Sequence, residues 1–203
     1  MAFIISDNGG KSSDWKNPEP GSYIGRCIRV EDLGTQETVW EGQKKSSRKV
    51  RLAIELPNEL VEWERDGKKI KEPFIVFWTL TASLGEKASM RKALENWRGR
   101  AFTADEVKHF DLDTIVGAAG TVTLTASKDG KYVNVTSIAP VMKGTACPPQ
   151  VLPGWTFHLD DPNWDVYKKI GKGTRIKIAN SPEFRALQLP PDIATLVLSD
   201  KQG

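Results

Sequence analysis

Between Ser83 and Gly117 a helical rhythm interrupts a chain that otherwise alternates with period two, and this interruption limits the folds open to it more than any other feature. Upstream, SYIGRCIRVEDL carries Ile24, Ile28 and Val30 on one parity, with Arg26 as an exception, and TQETVW continues or bends the same strand. KVRLAIEL alternates cleanly through Val50, Leu52, Ile54 and Leu56. FIVFWTLTAS puts Phe74, Val76, Trp78 and Leu80 on one face and Ile75, Phe77, Thr79 and Thr81 on the other. Inside the interruption, Ser83–Glu86 and Thr103–Glu106 both have capping-box spacing, in which a hydroxyl takes a free amide and a glutamate reaches back. Met90, Leu94 and Trp97 then recur at helical spacing and Gly99 is the stop. Val107 and Phe110 form the apolar side of a second helix, and DLDTIVG closes at Gly117. Alternation returns in GTVTLTAS and KYVNVTSIAP, joined through Asp129-Gly130. Val122, Leu124, Val133 and Val135 are their apolar positions, with threonines and a serine on the opposite face.

Three strands, a helical insert and a two-strand hairpin make the element order of an OB-fold, a five-stranded antiparallel barrel whose helix sits between the third and fourth strands. A sandwich needs more strands, and a doubly wound fold needs alternating helices. The expected architecture is therefore mainly β. A flexible N-terminal arm covers residues 1–20, including Trp15, and the OB-fold domain covers 21–140. The Pro/Gly-rich linker VMKGTACPPQVLPG and a C-terminal extension with two short helices occupy 141–203. A chain of 203 residues can bury a full core without staples.

The stretch GQKKSSRKVRLAIEL places Lys44, Lys45, Arg48, Lys49 and Arg51 in succession with no acid among them. The formal net charge is only +3, so attraction to a polyanion has to come from such a patch. A solvated loop that keeps a sheet edge from aggregating explains the charge alone equally well. The OB-fold adds geometry: its first loop and the face of its second and third strands are the usual oligonucleotide groove. There, cations meet phosphates and flat rings meet bases. Lys49 and Arg51 share the outer parity of the second strand, Phe77 has it on the third, and Trp40 precedes the basic stretch. Tyr23 and Tyr132 add stacking surface. LVEWERDGKKIKEP reads as an exposed hairpin turning at Asp66-Gly67, with Trp63, Arg65, Lys68, Lys69 and Lys71 as a second wall of the groove. The cations of MRKALENWRGR read instead as a solvated helix face with an Arg91–Glu95 pair.

Chemistry is thinly represented. Cys27 and Cys147 form neither a zinc set nor a disulfide framework. His109 and His158 have no triad or metal partners in sequence, and HLDDP reads as a turn before Pro162. GKGTRI lacks phosphate-loop spacing. No cofactor, metal or catalytic role is expected. The opening MAFIISDNGG has too short an apolar run for a signal peptide and no segment approaches a membrane span, so the expected compartment is the cytoplasm.

The run LTASLGEKASMRKALENWRGRAFTADEVKHFDLDTIVGAAGTVTL, then DGKYVNVTSIAPVMKG and DDPNWDVYKKIGKGTRIKIANSPEFRAL, resembles a family of phage and prophage proteins. These are small OB-fold proteins that accompany replication or recombination genes and bind single-stranded DNA. The similarity spans about residues 20–188, and its most particular part, Trp97-Arg98-Gly99-Arg100-Ala101-Phe102-Thr103, is structural. The resemblance implies fold and ligand class, a host-cell cytoplasmic location, and phage recombinase or replication proteins as partners. It assigns no DNA-contacting residue. The ending LVLSDKQG departs from the acidic, apolar tip by which many single-strand binders recruit proteins. The expectation is a sequence-tolerant, non-catalytic single-stranded DNA-binding protein, with self-assembly left open. The rival is an OB-fold module for protein assembly, and an enzyme accessory or nuclease is a third, weaker reading.

Overall fold

Every alternating segment becomes a strand, and the first two run much longer than the alternation. The computed structural model describes residues 17–40, 42–65 and 67–202, with the backbone alone at 40 and 65. Trp15 and most of the N-terminal arm lie outside the described residues. The strands are β1 (Gly21–Trp40), β2 (Gln43–Arg65), β3 (Lys68–Thr81), β4 (Ala119–Ala126), β5 (Val133–Ala139) and β6 (Trp155–Phe157). The helices are α1 (Ser89–Arg98), α2 (Ala104–His109), α3 (Trp164–Lys169), α4 (Lys172–Ala179), α5 (Pro182–Arg185) and α6 (Pro191–Gln202), with a 3-10 turn at Leu112–Ile115.

The protein is mainly β. Its sheet runs β3-β2-β1-β4-β5 with antiparallel neighbours, and β6 adds to β1 in parallel at Arg29–Glu31. β3 and β5 approach each other across the remaining gap, but no ladder joins them. The expected closed, five-stranded barrel is therefore an open sheet of six strands. α1 packs on both β3 and β5 beside the gap. Its Met90, Leu94 and Trp97 are buried as the spacing predicts, and the Trp97 indole N–H donates to the Ala119 carbonyl at 2.8 Å. They share one core with Val50, Leu52, Ile54, Leu56, Phe74, Val76, Leu80, Val122 and Leu124.

Several local expectations change. Single parity fails in β1 because the register shifts between Cys27 and Arg29, so that Cys27 and Ile28 are both fully buried. A bulge puts adjacent side chains out of strict alternation. α1 begins at Ser89 after Ala88 with no side-chain cap, while the Ser83 hydroxyl takes the Gly85 amide instead. The Thr103–Glu106 capping box forms as expected, and Gly99 (φ 67°) ends α1. The C-terminal segment holds four helices and one strand, where the sequence suggested two helices. Phe157, Leu159, Tyr167, Ile170, Ile178, Phe184, Ile193 and Val197 build a second apolar cluster around Leu33 of β1. Close approach there requires a glycine: at Gly34 (φ +66°) a Cβ would lie 2.4 Å from the Ser181 hydroxyl oxygen.

Candidate nucleic-acid interface

Cross-strand register places three transverse rows on the outer face of the sheet, opposite the core. They are Arg26–Glu55–Ile75, Arg29–Ala53–Phe77 and Glu31–Arg51–Thr79, each read from β1 through β2 to β3. Directly paired residues of antiparallel strands point to the same face. The β3 side of this face is open: Thr79 is exposed, and Phe77 and Ile75 are half-buried. The β1 and β2 side is covered by the chain that follows Pro140.

Phe77 is the centre of the open part. The Arg51 guanidinium lies 4.3 Å from its ring centroid. Arg51 itself is only 3% exposed and bonds Glu31, itself 1% exposed, through Nε at 2.6 Å and through Nη2. This corrects the expectation that Arg51 meets phosphate, since in this arrangement it is an internal cation that supports the ring from below. The Lys49 ammonium donates to the Thr81 hydroxyl at 2.7 Å. Thr81 in turn borders a shallow hollow of about 730 Å³, shared with Ser83, Gly85, Lys87 and Ser89.

The basic stretch is not a loop. Gln43–Arg48 pairs with Thr35–Trp40 as a β-ribbon. Lys44 and Lys45 are exposed near its tip and form no ion pair among the described residues. Trp40 ends β1 opposite Gln43, and its side chain lies outside the described residues. Arg48 is 35% exposed in its side chain and tied to acids: it bonds Asp32 at 2.5 and 3.2 Å and Asp160 at 2.9 Å. Hydrogen bonds donated to Asp32 hold its guanidinium above the ordinary arginine range, against the pull of burial. Arg48 is thus a clamp between the ribbon and the C-terminal segment.

The second hairpin forms as expected, with Arg65 opposite Lys68 and Gly67 at φ +73°. Lys68 and Lys69 are exposed, Trp63 is half-buried opposite Ile70, and Lys71 pairs with Glu62 at 3.5 Å. This tip and the Lys44/Lys45 tip lie at opposite ends of β2, so they do not wall one narrow groove. Tyr132 is 46% exposed in the turn between β4 and β5. The Cys27 thiol is pushed up to about 12 by burial and is no nucleophile. Among the described residues no group of three or more His, Cys, Asp or Glu is placed to hold a metal ion. His158 pairs with Asp113 at 2.9 Å. No described helix is long and apolar enough to cross a membrane.

Sequence reasoning missed the covered side of this face. There the Trp155 ring lies 3.7 Å from the Arg29 guanidinium carbon, and the Val151 and Leu152 amides donate to Glu55 at 2.9 and 2.7 Å. Burial pulls Arg29 down to about 10, which leaves it cationic at neutral pH. In SYIGRCIRVEDL Arg26 reads only as an exception to the alternation, and nothing in a proline-rich linker announces what it will lie across. No protein-family model, curated protein or solved structure compared with this chain matches it.

Proposed function

We propose that this protein is an OB-fold single-stranded DNA-binding protein of phage type, sequence-tolerant and non-catalytic, that protects exposed strands during replication or recombination. The observation that carries the reading is the half-exposed Phe77 ring backed by Arg51 on the outer face of β2–β3, with Lys49 on the same parity. In OB-folds that face binds oligonucleotides, between the first and last hairpin loops. The strand order supports the fold: β3 and β5 are adjacent across the gap, and the helical insert falls between β3 and β4. The resemblance to phage single-strand binders points the same way. Lys44 and Lys45 on the first hairpin and Tyr132 on the last frame the face with charge and a ring. Lysines release counterions from the backbone, which makes affinity salt-sensitive, while rings stack on bases of any identity.

The assembly-module reading has its own support. Arg48 and Arg51 are neutralised in place, and Val39 and Leu60 are exposed on the two ribbons. Titrating tryptophan fluorescence with oligo-dT at several salt concentrations separates the two. Quenching whose midpoint rises steeply with salt supports DNA binding, and an unchanged signal at low salt leaves the assembly module. Magnesium-dependent shortening of the oligonucleotide would overturn the non-catalytic part.

A further inference from the structure

Residues 147–154 lie across the outer sheet face with no helix or strand of their own. Their hold on the sheet is polar and sparse. The Arg26 guanidinium donates to the carbonyl oxygens of Cys147 and Pro148 at 3.4 and 3.0 Å. The Glu55 carboxylate accepts the Val151 and Leu152 amides. The Val151 side chain is exposed and adds little packing. On this side of the sheet several buried polar atoms have no hydrogen-bond partner: Nε of Arg26 and Arg29, Nη1 of Arg51, Oε1 of Glu31 and the Trp155 indole nitrogen. Three guanidinium N–H groups and an indole N–H left unsatisfied favour any state in which they find acceptors. Glu31 and Arg51 are more than nine-tenths buried.

Register ties this covered patch to the open one. Arg29 is opposite Ala53, which is opposite Phe77, and Arg26 is one row over, opposite Glu55. The strap carbonyls on Arg26 make the contacts that phosphate oxygens make with arginine. We propose that residues 147–154 are an intramolecular occupant of the strand-binding face. Single-stranded DNA that reaches Phe77 displaces them, and its phosphodiester oxygens take the Arg26 N–H groups that the Cys147 and Pro148 carbonyls hold. Glu55 works against this opening: it anchors the strap when closed and repels phosphate when bared. The inference rests on the single-strand-binding reading and extends its site from β3 to β1.

The test combines hydrogen exchange at the Leu152 amide with oligo-dT affinity, for the full chain and for Val151→Pro. That substitution removes one amide donor to Glu55, keeps every charge and alters an exposed side chain. In Val151→Pro, Leu152 exchange should rise about tenfold, the effect of one lost charge-assisted hydrogen bond, and oligo-dT should bind more tightly. In the unaltered protein, added oligo-dT should speed Leu152 exchange. Gly154→Ala is the second variant, because its Cβ would lie 2.8 Å from the Ile28 carbonyl oxygen and would press the strap outward. If oligo-dT binds but slows or leaves Leu152 exchange unchanged, and neither variant tightens binding, the displacement is refuted and the open face stands as the whole site. If neither the protein nor its variants bind oligo-dT, both readings fall.

Discussion

Replacing Arg51 with Met tests the electrostatics of the sheet face directly. Glu31 takes its hydrogen bond from Nε of this one arginine and its ion-pair contact from Nη2, both on the single oxygen Oε2, and its other oxygen has no hydrogen-bond partner. With the guanidinium gone, a carboxylate 1% exposed keeps no hydrogen bond at all. Breaking one side of such a buried pair costs about 3–5 kcal/mol. Arg51→Met should therefore remove that much from the unfolding free energy, measured by urea denaturation followed through tryptophan fluorescence, with the slope against urea unchanged. The double variant Glu31→Leu with Arg51→Met removes both charges and should recover most of the loss, since apolar replacements of buried pairs are often neutral or stabilising. The coupling in this cycle is the measured quantity. A loss below about 1 kcal/mol for Arg51→Met, the scale of an exposed pair, would show that Arg51 faces solvent. A double variant no better than the single would show that the arginine acts through Phe77 alone.

Other outcomes follow from the same geometry. Gly34→Ala should lower the urea midpoint: overpacking against Ser181 costs about 1–3 kcal/mol, and the left-handed backbone adds about 1 kcal/mol more. Phe77→Ala should weaken oligo-dT binding by about 1–3 kcal/mol, one stacked base, while far-UV circular dichroism stays unchanged; unfolding instead would place the ring in the core. Lys44→Ala with Lys45→Ala should flatten the salt dependence of log K by about 1.4, two contacts at about 0.7 each on a single strand, with stability unaffected. Arg48→Ala should do the reverse, lowering the urea midpoint because Asp32 beneath it is buried. For Glu183, burial pushes the carboxyl up, but the Thr35 hydroxyl at 2.5 Å and amide at 2.9 Å outweigh it and leave it below the ordinary glutamate range. Its contribution to stability is present above that ordinary range, about 4.3, and is lost as pH falls through the depressed folded value. The acid limb of urea midpoint against pH should therefore be shallower in Glu183→Gln.

What was legible in the sequence was whatever local periodicity controls. The core parity of KVRLAIEL, the apolar face of α1, the Thr103 capping box and the Gly67 turn all follow from side chains within a few residues of each other. The bulge at Cys27 was not legible, because both Cys27 and Ile28 are apolar and either parity fits. Nor was the ribbon at 35–48, since its residues are polar on both faces and read as a loop. The fate of Arg48 and Arg51 depended on Asp32, Glu31 and Asp160, acids whose proximity only the fold creates. Parity put Arg51 and Phe77 on one outer face correctly. It could not say that the arginine would be sealed beneath the ring, because the covering segment is more than 90 residues away in the chain.

That sealing changes what the basic stretch is for. Of its five cations, the fold leaves Lys44 and Lys45 in solvent, engages Lys49 with a hydroxyl, and ties Arg48 and Arg51 to carboxylates. The tied pair sits at the base of the ribbon, where one buried carboxylate, Asp32, accepts Arg48, the Gly34 amide at 3.0 Å and the Leu159 amide at 3.2 Å. A carboxylate holding a ribbon strand, the turn of β1 and the C-terminal segment fixes the direction in which the ribbon leaves the sheet. The lysines at the tip are exposed, and in the proposed reading ammonium groups on a fixed stem suit a ligand read through its charge and not its sequence. Arginine at the base and lysine at the tip are thus not interchangeable: the planar fork organises three chain segments, and the exposed point charge is what the proposed strand contact would use.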